Sequence, residues 1–167
     1  MAKYKDQRVG VFVDVQNMYH SAKHLFGARV NFKKVLQEAV SGRKLIKALA
    51  YVVKSHTQEE ESFFEALRSQ GFDMRVKDLQ IFAGGMKKGD WDVGMAMDAV
   101  KWADKLDVVV LVTGDGDFVP LVRYLQENKA CQVEIMSFLS SSSSKLIEEA
   151  DEFTDLSDKK YLLSIKS

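Results

Sequence analysis

Residues 8–15, RVGVFVDV, form a short and almost unbroken apolar run rich in β-branched side chains. Such a run predicts a strand covered on both faces inside a parallel sheet, since a strand with one wet face would alternate apolar and polar. The runs KLIKALAYVV at 44–53 and DVVVLVT at 107–113 repeat the pattern, and each is followed by residues that start turns or helices. Cys131–Phe138 predicts a late strand. Phe72–Phe82 predicts another, which Gly84-Gly85 breaks into a loop through Met86, Lys87, Lys88 and Gly89.

Between these runs the apolar positions change to helical spacing. The clearest case is QEEESFFEALRSQ at 58–70, with Thr57 placed to cap it and Gly71 to stop it. Trp91–Leu106 and Phe118–Lys129 predict two more helices, the second with Pro120 in a first turn that tolerates proline. After the first strand a helix is expected from about Asn17, with Asn17 as its cap. The five serines 140–144 read as a loop ending in a cap for a helical stretch at Lys145–Ala150.

Strands alternating with helices imply an α/β fold with a mostly parallel sheet, because each parallel pair needs a crossover and the crossovers cover both faces. No repeat of solenoid length is visible. With 167 residues the chain is expected to form a single domain, residues 1–167, with its core at about 8–156.

Composition narrows the function classes. Twenty-four Lys and Arg balance 24 Asp and Glu, so no net field draws the chain to nucleic acid or membrane, and any such binding must be local. The single cysteine, Cys131, excludes an intrachain disulfide and a zinc site built on paired thiolates, and fits a reducing, cytoplasmic setting. The longest early apolar stretch is far too short to span a membrane, and no signal peptide is read.

The candidate chemistry lies at strand ends, where open parallel sheets bind their ligands. Asp14 closes the first strand, and Asp115 and Asp117 follow the 107–113 strand through Gly114 and Gly116. If those two strands are neighbours, three carboxylates converge, and like charges so close call for a cation or a retained proton. The alternative for 114–117 is a plain turn with Asp117 capping the next helix. Asp14 resists that explanation, because the following helix is expected to start later.

Asp92 falls in the first turn of a predicted helix, where an acid favours the dipole. Asp98 sits among Met95, Ala96, Met97, Ala99 and Val100, so it belongs either to the site or to a solvated face. His20 and His24 share a helix face at i, i+4, as metal ligands or as exposed helix residues. Oxygen donors dominate, which selects Mg²⁺ or Mn²⁺ over zinc.

Taken together, FVDVQN at 12–17, KKGDWDVGMAMD at 87–98 and VLVTGDGDFVPLV at 110–122 resemble the NYN domains, a branch of the PIN-like nucleases, with the bacterial LabA-type members most alike. The likeness runs in order from Arg8 to Leu156. It implies a three-layer α/β/α sandwich of PIN-like, Rossmann-like topology and a metal-dependent endoribonuclease. The family's first aspartate and asparagine fall on Asp14 and Asn17. Its Lys-Gly-x-Asp element falls on Lys88, Gly89 and Asp92, with Asp90-Trp91 filling the usual single position; the spacing to Asp98 aligns Asp92. The last motif places Thr113, Asp115 and Asp117 at the site.

On that resemblance, Asp14, Asp92, Asp115 and Asp117 are the expected catalytic metal ligands for Mg²⁺ or Mn²⁺, with Asp98 beside them as a further ligand or in support. Asn17 and Thr113 would orient water or a phosphate oxygen. Lys87 and Lys88 would meet the RNA, expected to be single-stranded, with Tyr19, Phe82 or Trp91 either stacking on bases or packing in the core. PIN-like domains often pair, and a neutral surface permits a homodimer.

Two rival readings remain. Gly114-Asp115-Gly116-Asp117 also resembles the late acidic motif of haloacid dehalogenase-type phosphatases, but their Asp-x-Asp nucleophile motif would need an acid where Gln16 stands. The other rival keeps the PIN-like fold and binds RNA or a protein without cutting.

Overall fold

The computed structural model describes residues 3–81, 87–88 and 90–164, and for 80, 81, 87 and 88 the backbone only. Its centre is a six-stranded sheet in which every pairing is parallel. The strands are β1 (Arg8–Asp14), β3 (Lys44–Lys54), β4 (Asp73–Asp78), β7 (Val108–Val112), β8 (Gln132–Ser137) and β9 (Glu152–Asp155), in the order β4-β3-β1-β7-β8-β9. From β1 the chain builds outward through β3 to β4, then returns to place β7 on the other flank of β1. The order therefore reverses between β1 and β7, which makes their carboxyl ends the switch point of the sheet.

Two apolar layers sandwich the sheet. Val9, Val11 and Val13 of β1 point into a layer closed by α1 (Val15–Phe26), α2 (Phe32–Val40) and α3 (Gln58–Ser69). Phe12 points the other way, into a layer closed by α4 (Asp92–Ala103), α5 (Val119–Lys129) and α6 (Ser144–Glu149). Both faces of β1 are thus dry, as its continuous apolar run requires. Among the described residues no helix is long and apolar enough to cross a membrane.

Local chemistry fixes several boundaries. Glu60 accepts from the backbone N–H of Thr57 (3.0 Å) in a capping box at the start of α3, and Gly71, with φ of 109°, follows its end. Pro120 sits in the first turn of α5, and Ser143 caps α6 by accepting from the Leu146 N–H (3.3 Å). A buried ion pair ties the turn after α2 to β8, with Arg43 Nη1 and Nη2 donating to Glu134 Oε2 and Oε1 at 2.9 and 3.0 Å.

Three boundaries differ from the sequence pattern. α1 begins at Val15 rather than near Asn17, and its cap is Asp14, whose Oδ1 accepts from the Asn17 N–H (3.2 Å). The strand expected over 72–82 divides into β4 and β5 (Gln80–Ile81), and Lys87–Lys88, expected in a loop, form β6 antiparallel to β5. The rest of that loop, residues 82–86 and 89, lies outside the described residues, Phe82 with it. A separate antiparallel pair, β2 (Ala28–Val30) with β10 (Leu162–Ser164), joins chain segments far apart in sequence.

Candidate metal centre

At the switch point the ends of β1 and β7 are laced together by side chains. Thr113, fully buried just after β7, donates its hydroxyl to Asp14 Oδ2 (3.3 Å) and accepts from the Asp115 N–H (3.2 Å). Asn17 Oδ1 accepts from the Gly114 N–H (3.0 Å). Asp14, Asn17 and Thr113 therefore fix the position from which the loop at 114–117 departs.

That loop closes into a single 3-10 turn, Gly116–Phe118, whose cap is Asp115: its Oδ1 accepts from the Asp117 N–H (2.9 Å). The turn-and-cap alternative for this motif named Asp117, so the cap is assigned one acid too late in that reading. Two glycines let a serine wall approach the loop. A Cβ on Gly114 would lie 2.7 Å from Ser137 Oγ and 2.8 Å from Ser142 Oγ, and one on Gly116 would lie 2.8 Å from Ser143 Oγ. The Ser143 N–H donates to the Gly114 carbonyl (2.9 Å), and Ser142 Oγ donates to the Phe138 carbonyl (2.6 Å). Ser137, Ser142 and Ser143 thus support the site, a role that a serine run after a strand does not disclose.

The third contribution comes from α4. Trp91, just before it, donates its indole N–H to the Val52 carbonyl (2.8 Å) and packs on Tyr51, with ring centroids 5.5 Å apart. Gly94 makes room, since a Cβ there would lie 2.6 Å from the Trp91 ring. This wedge anchors the first turn, and the turn presents Asp92. Ligand oxygens of Asp92, Asp115 and Asp117 lie within 4.8 Å of one another, with Asp92 and Asp115 half-buried and Asp117 exposed.

Proton affinities report the crowding. Burial, followed by the charges of Asp115, Asp90 and Asp14, pushes the Asp92 carboxyl up to about 7. Burial also raises Asp14, against the pull of the Asn17 N–H and the Thr113 hydroxyl, and the Asp115 charge adds to the rise.

Other candidates stand apart from these three acids. Asp98 is not among them: it accepts from the Tyr51 hydroxyl (2.8 Å) and pairs with Arg75 Nε (3.4 Å), which accounts for a carboxylate among apolar neighbours on α4. Asp14 lies near enough to raise Asp92 electrostatically but outside the three-acid group. His20 and His24 are exposed on α1, and neither joins the group. Tyr19 is exposed on the same helix, whereas the Trp91 indole is committed to packing. Lys87 and Lys88 are placed by backbone alone, in β6.

Three carboxylates around one small space supply only oxygen donors and excess negative charge. That combination fits a hard divalent cation.

The comparisons with known proteins agree with this architecture. The NYN domain profile matches residues 8–158. The chain belongs to the NYN domain family. It is 25% identical over 163 residues to the low amplitude and bright protein LabA of Synechococcus elongatus, covering 93% of this chain and 87% of that protein. A Vibrio parahaemolyticus protein of unknown function, solved by crystallography, is 31% identical, with a TM-score of 0.89 over 98% of this chain and all of that one. These likenesses account for the fold and for the LabA-like character of this NYN chain.

Proposed function

We propose that this NYN domain is a metal-dependent ribonuclease that hydrolyses phosphodiester bonds in RNA at the carboxylates of Asp92, Asp115 and Asp117. The observation that carries the reading is the meeting of those three acids, drawn from α4 and the loop after β7, at the switch point of a parallel sheet. Membership of a nuclease-type family supplies the reaction class.

In this reading Asp92, Asp115 and Asp117 hold Mg²⁺ or Mn²⁺ through carboxylate oxygens. A divalent ion bound there would supply an activated water and offset charge on the leaving oxygen. Asp14 completes the negative rim and, with Thr113 and Asn17, keeps the loop in register through the bonds that lace β1 to β7. Asp98 serves α4 through Tyr51 and Arg75. Lys87 and Lys88 of β6 would supply cations to the RNA.

The test is incubation of the purified protein with mixed single-stranded RNA oligonucleotides and Mn²⁺ or Mg²⁺, beside EDTA and Asp115→Asn controls. Metal-dependent cleavage absent from the variant supports the enzyme. Equal cleavage by the variant assigns the activity to a contaminant. Metal or RNA binding without cleavage favours the regulatory binding module, and hydrolysis of a small phosphomonoester would favour the phosphatase.

A further inference from the structure

We propose that the edge of the sheet at β4 is a track that leads single-stranded RNA to the carboxylates, with Arg75 and Lys77 holding phosphates in succession. The proposal rests on the ribonuclease reading above and adds the path that the substrate takes. Because the whole chain carries no net charge, attraction of a polyanion must come from a local row of cations.

The register supplies such a row. Arg75 lies opposite Tyr51 and Lys77 opposite Val53, and Tyr51 belongs to the layer beneath α4. Alternate residues of a strand share a face, so Arg75 and Lys77 both stand on the α4 side, roughly 6.6 Å apart along the strand. β4 is the last strand of the sheet, and both residues are exposed on it.

The row is directed toward the site. Lys77 Nζ sits 4.9 Å from the centre of the Trp91 ring, and the next residue is Asp92, one of the three clustered acids. Asp98 meets Arg75 at Nε (3.4 Å), and a guanidinium carries five N–H donors, enough to engage a phosphate beside that carboxylate. Farther from the site, Lys47 Nζ is held by Asp73 at 2.6 Å, which neutralises it and ends the track. On the opposite face of β4, Asp78 pairs with His56 at 3.0 Å and offers an anion nothing.

Charged residues on an edge strand also discourage edge-to-edge pairing of sheets. The experiment separates the two roles. Binding of a labelled single-stranded RNA is followed by fluorescence anisotropy in EDTA, across a salt series, for the wild type, Lys77→Gln, Arg75→Gln, Arg75→Lys and the distant control Lys33→Gln on α2. The track predicts several-fold weaker binding by Lys77→Gln and Arg75→Gln, with the slope of log affinity against log salt reduced by about 0.7 in each. Arg75→Lys keeps the slope, Lys33→Gln matches the wild type, and calorimetric Mn²⁺ affinity is unchanged throughout.

Unchanged slopes in both Gln variants, or an equal loss in Lys33→Gln, overturn the track while leaving cleavage by the wild type intact. Variants that bind RNA normally but self-associate assign the cations to edge protection and overturn it likewise. Absence of RNA binding by the wild type, in EDTA and with Mn²⁺ alike, overturns the ribonuclease reading as well.

Discussion

Asp92, from the first turn of α4, shares a space with Asp115, from the loop after β7, that is small enough for burial and mutual repulsion to push the Asp92 carboxyl up to about 7. A carboxylate held so far above its ordinary range ties the metal-free fold to pH.

The direction follows from the two states. Below about pH 4 Asp92 is protonated whether the chain is folded or unfolded, and the fold bears no penalty from it. As pH climbs toward 7 the unfolded chain releases a proton that the folded one retains, so stability falls, and the loss is complete once pH passes the folded value. Melting temperatures of the metal-free protein, taken as a difference from Asp92→Asn between about pH 5 and 8, should decline with pH and then level. Addition of Mn²⁺ at the upper end should remove the decline; parallel curves for the two proteins would count against the shared space.

Gly116 faces Ser143 with no room for a side chain, since a Cβ would lie 2.8 Å from the hydroxyl and 3.0 Å from the Ser143 Cβ. Gly116→Ala should displace the loop that carries Asp115 and Asp117 and weaken Mn²⁺ binding by about tenfold, the scale of losing support behind a ligand. Ser143→Gly removes the obstacle at a cost of only a few tenths of a kcal/mol, because glycine also caps helices. The double variant should therefore recover most of the affinity in isothermal titration. No recovery would mean that the serine wall does not set the loop.

Trp91 holds the start of α4 through one hydrogen bond to the Val52 carbonyl and packing against Tyr51. Trp91→Phe deletes the bond and keeps an aromatic ring. Unfolding free energy should fall by about 1 kcal/mol, and Mn²⁺ affinity should fall several-fold because Asp92 loses its fixed origin. Unaltered metal affinity beside the stability loss would confine Trp91 to packing.

Arg43 and Glu134 make a nearly solvent-free pair, with side-chain exposures of 0% and 6%. Arg43→Ala strands the carboxylate in the interior and should cost about 3–5 kcal/mol in urea unfolding. Gln132, which also donates to Glu134 (2.9 Å), places the loss toward the lower end. Replacing both partners, Arg43→Met with Glu134→Leu, should restore much of the stability, because the desolvated charges leave together.

The central strands were legible because their apolar runs are continuous. Val108–Val112 is buried at every position, so its place in the sheet centre follows from composition alone. Helix α2 was equally legible in principle: Phe32, Val35, Leu36 and Ala39 recur at helical spacing and are its buried face, with Asn31 as cap. β2 and β10 were not, because three-residue strands gain their identity only from a partner at the other end of the chain. β9, with the sequence EFTD, lacks the apolar run of a central strand since it lies at the sheet edge.

At the site, the alternating pattern left the neighbouring of β1 and β7 as a condition; the sheet order meets it and brings Asp14 toward Asp115. Two details depended on side-chain direction. Asp14 is a cap because α1 starts one residue after it, and Asp98 is drawn off by Tyr51 and Arg75, partners on two strands that no local spacing reveals. The serine wall was hidden for the same reason: its partners are glycines, whose lack of a side chain carries meaning only once the neighbour is known.

On the proposed function, Asp92, Asp115 and Asp117 together hold one divalent cation. Crystals soaked in Mn²⁺ test it directly by anomalous scattering. A peak is expected about 2.1 Å from carboxylate oxygens of all three residues, abolished in Asp115→Asn. A peak at His20 and His24 instead, or none at the three acids under saturating Mn²⁺, would contradict it.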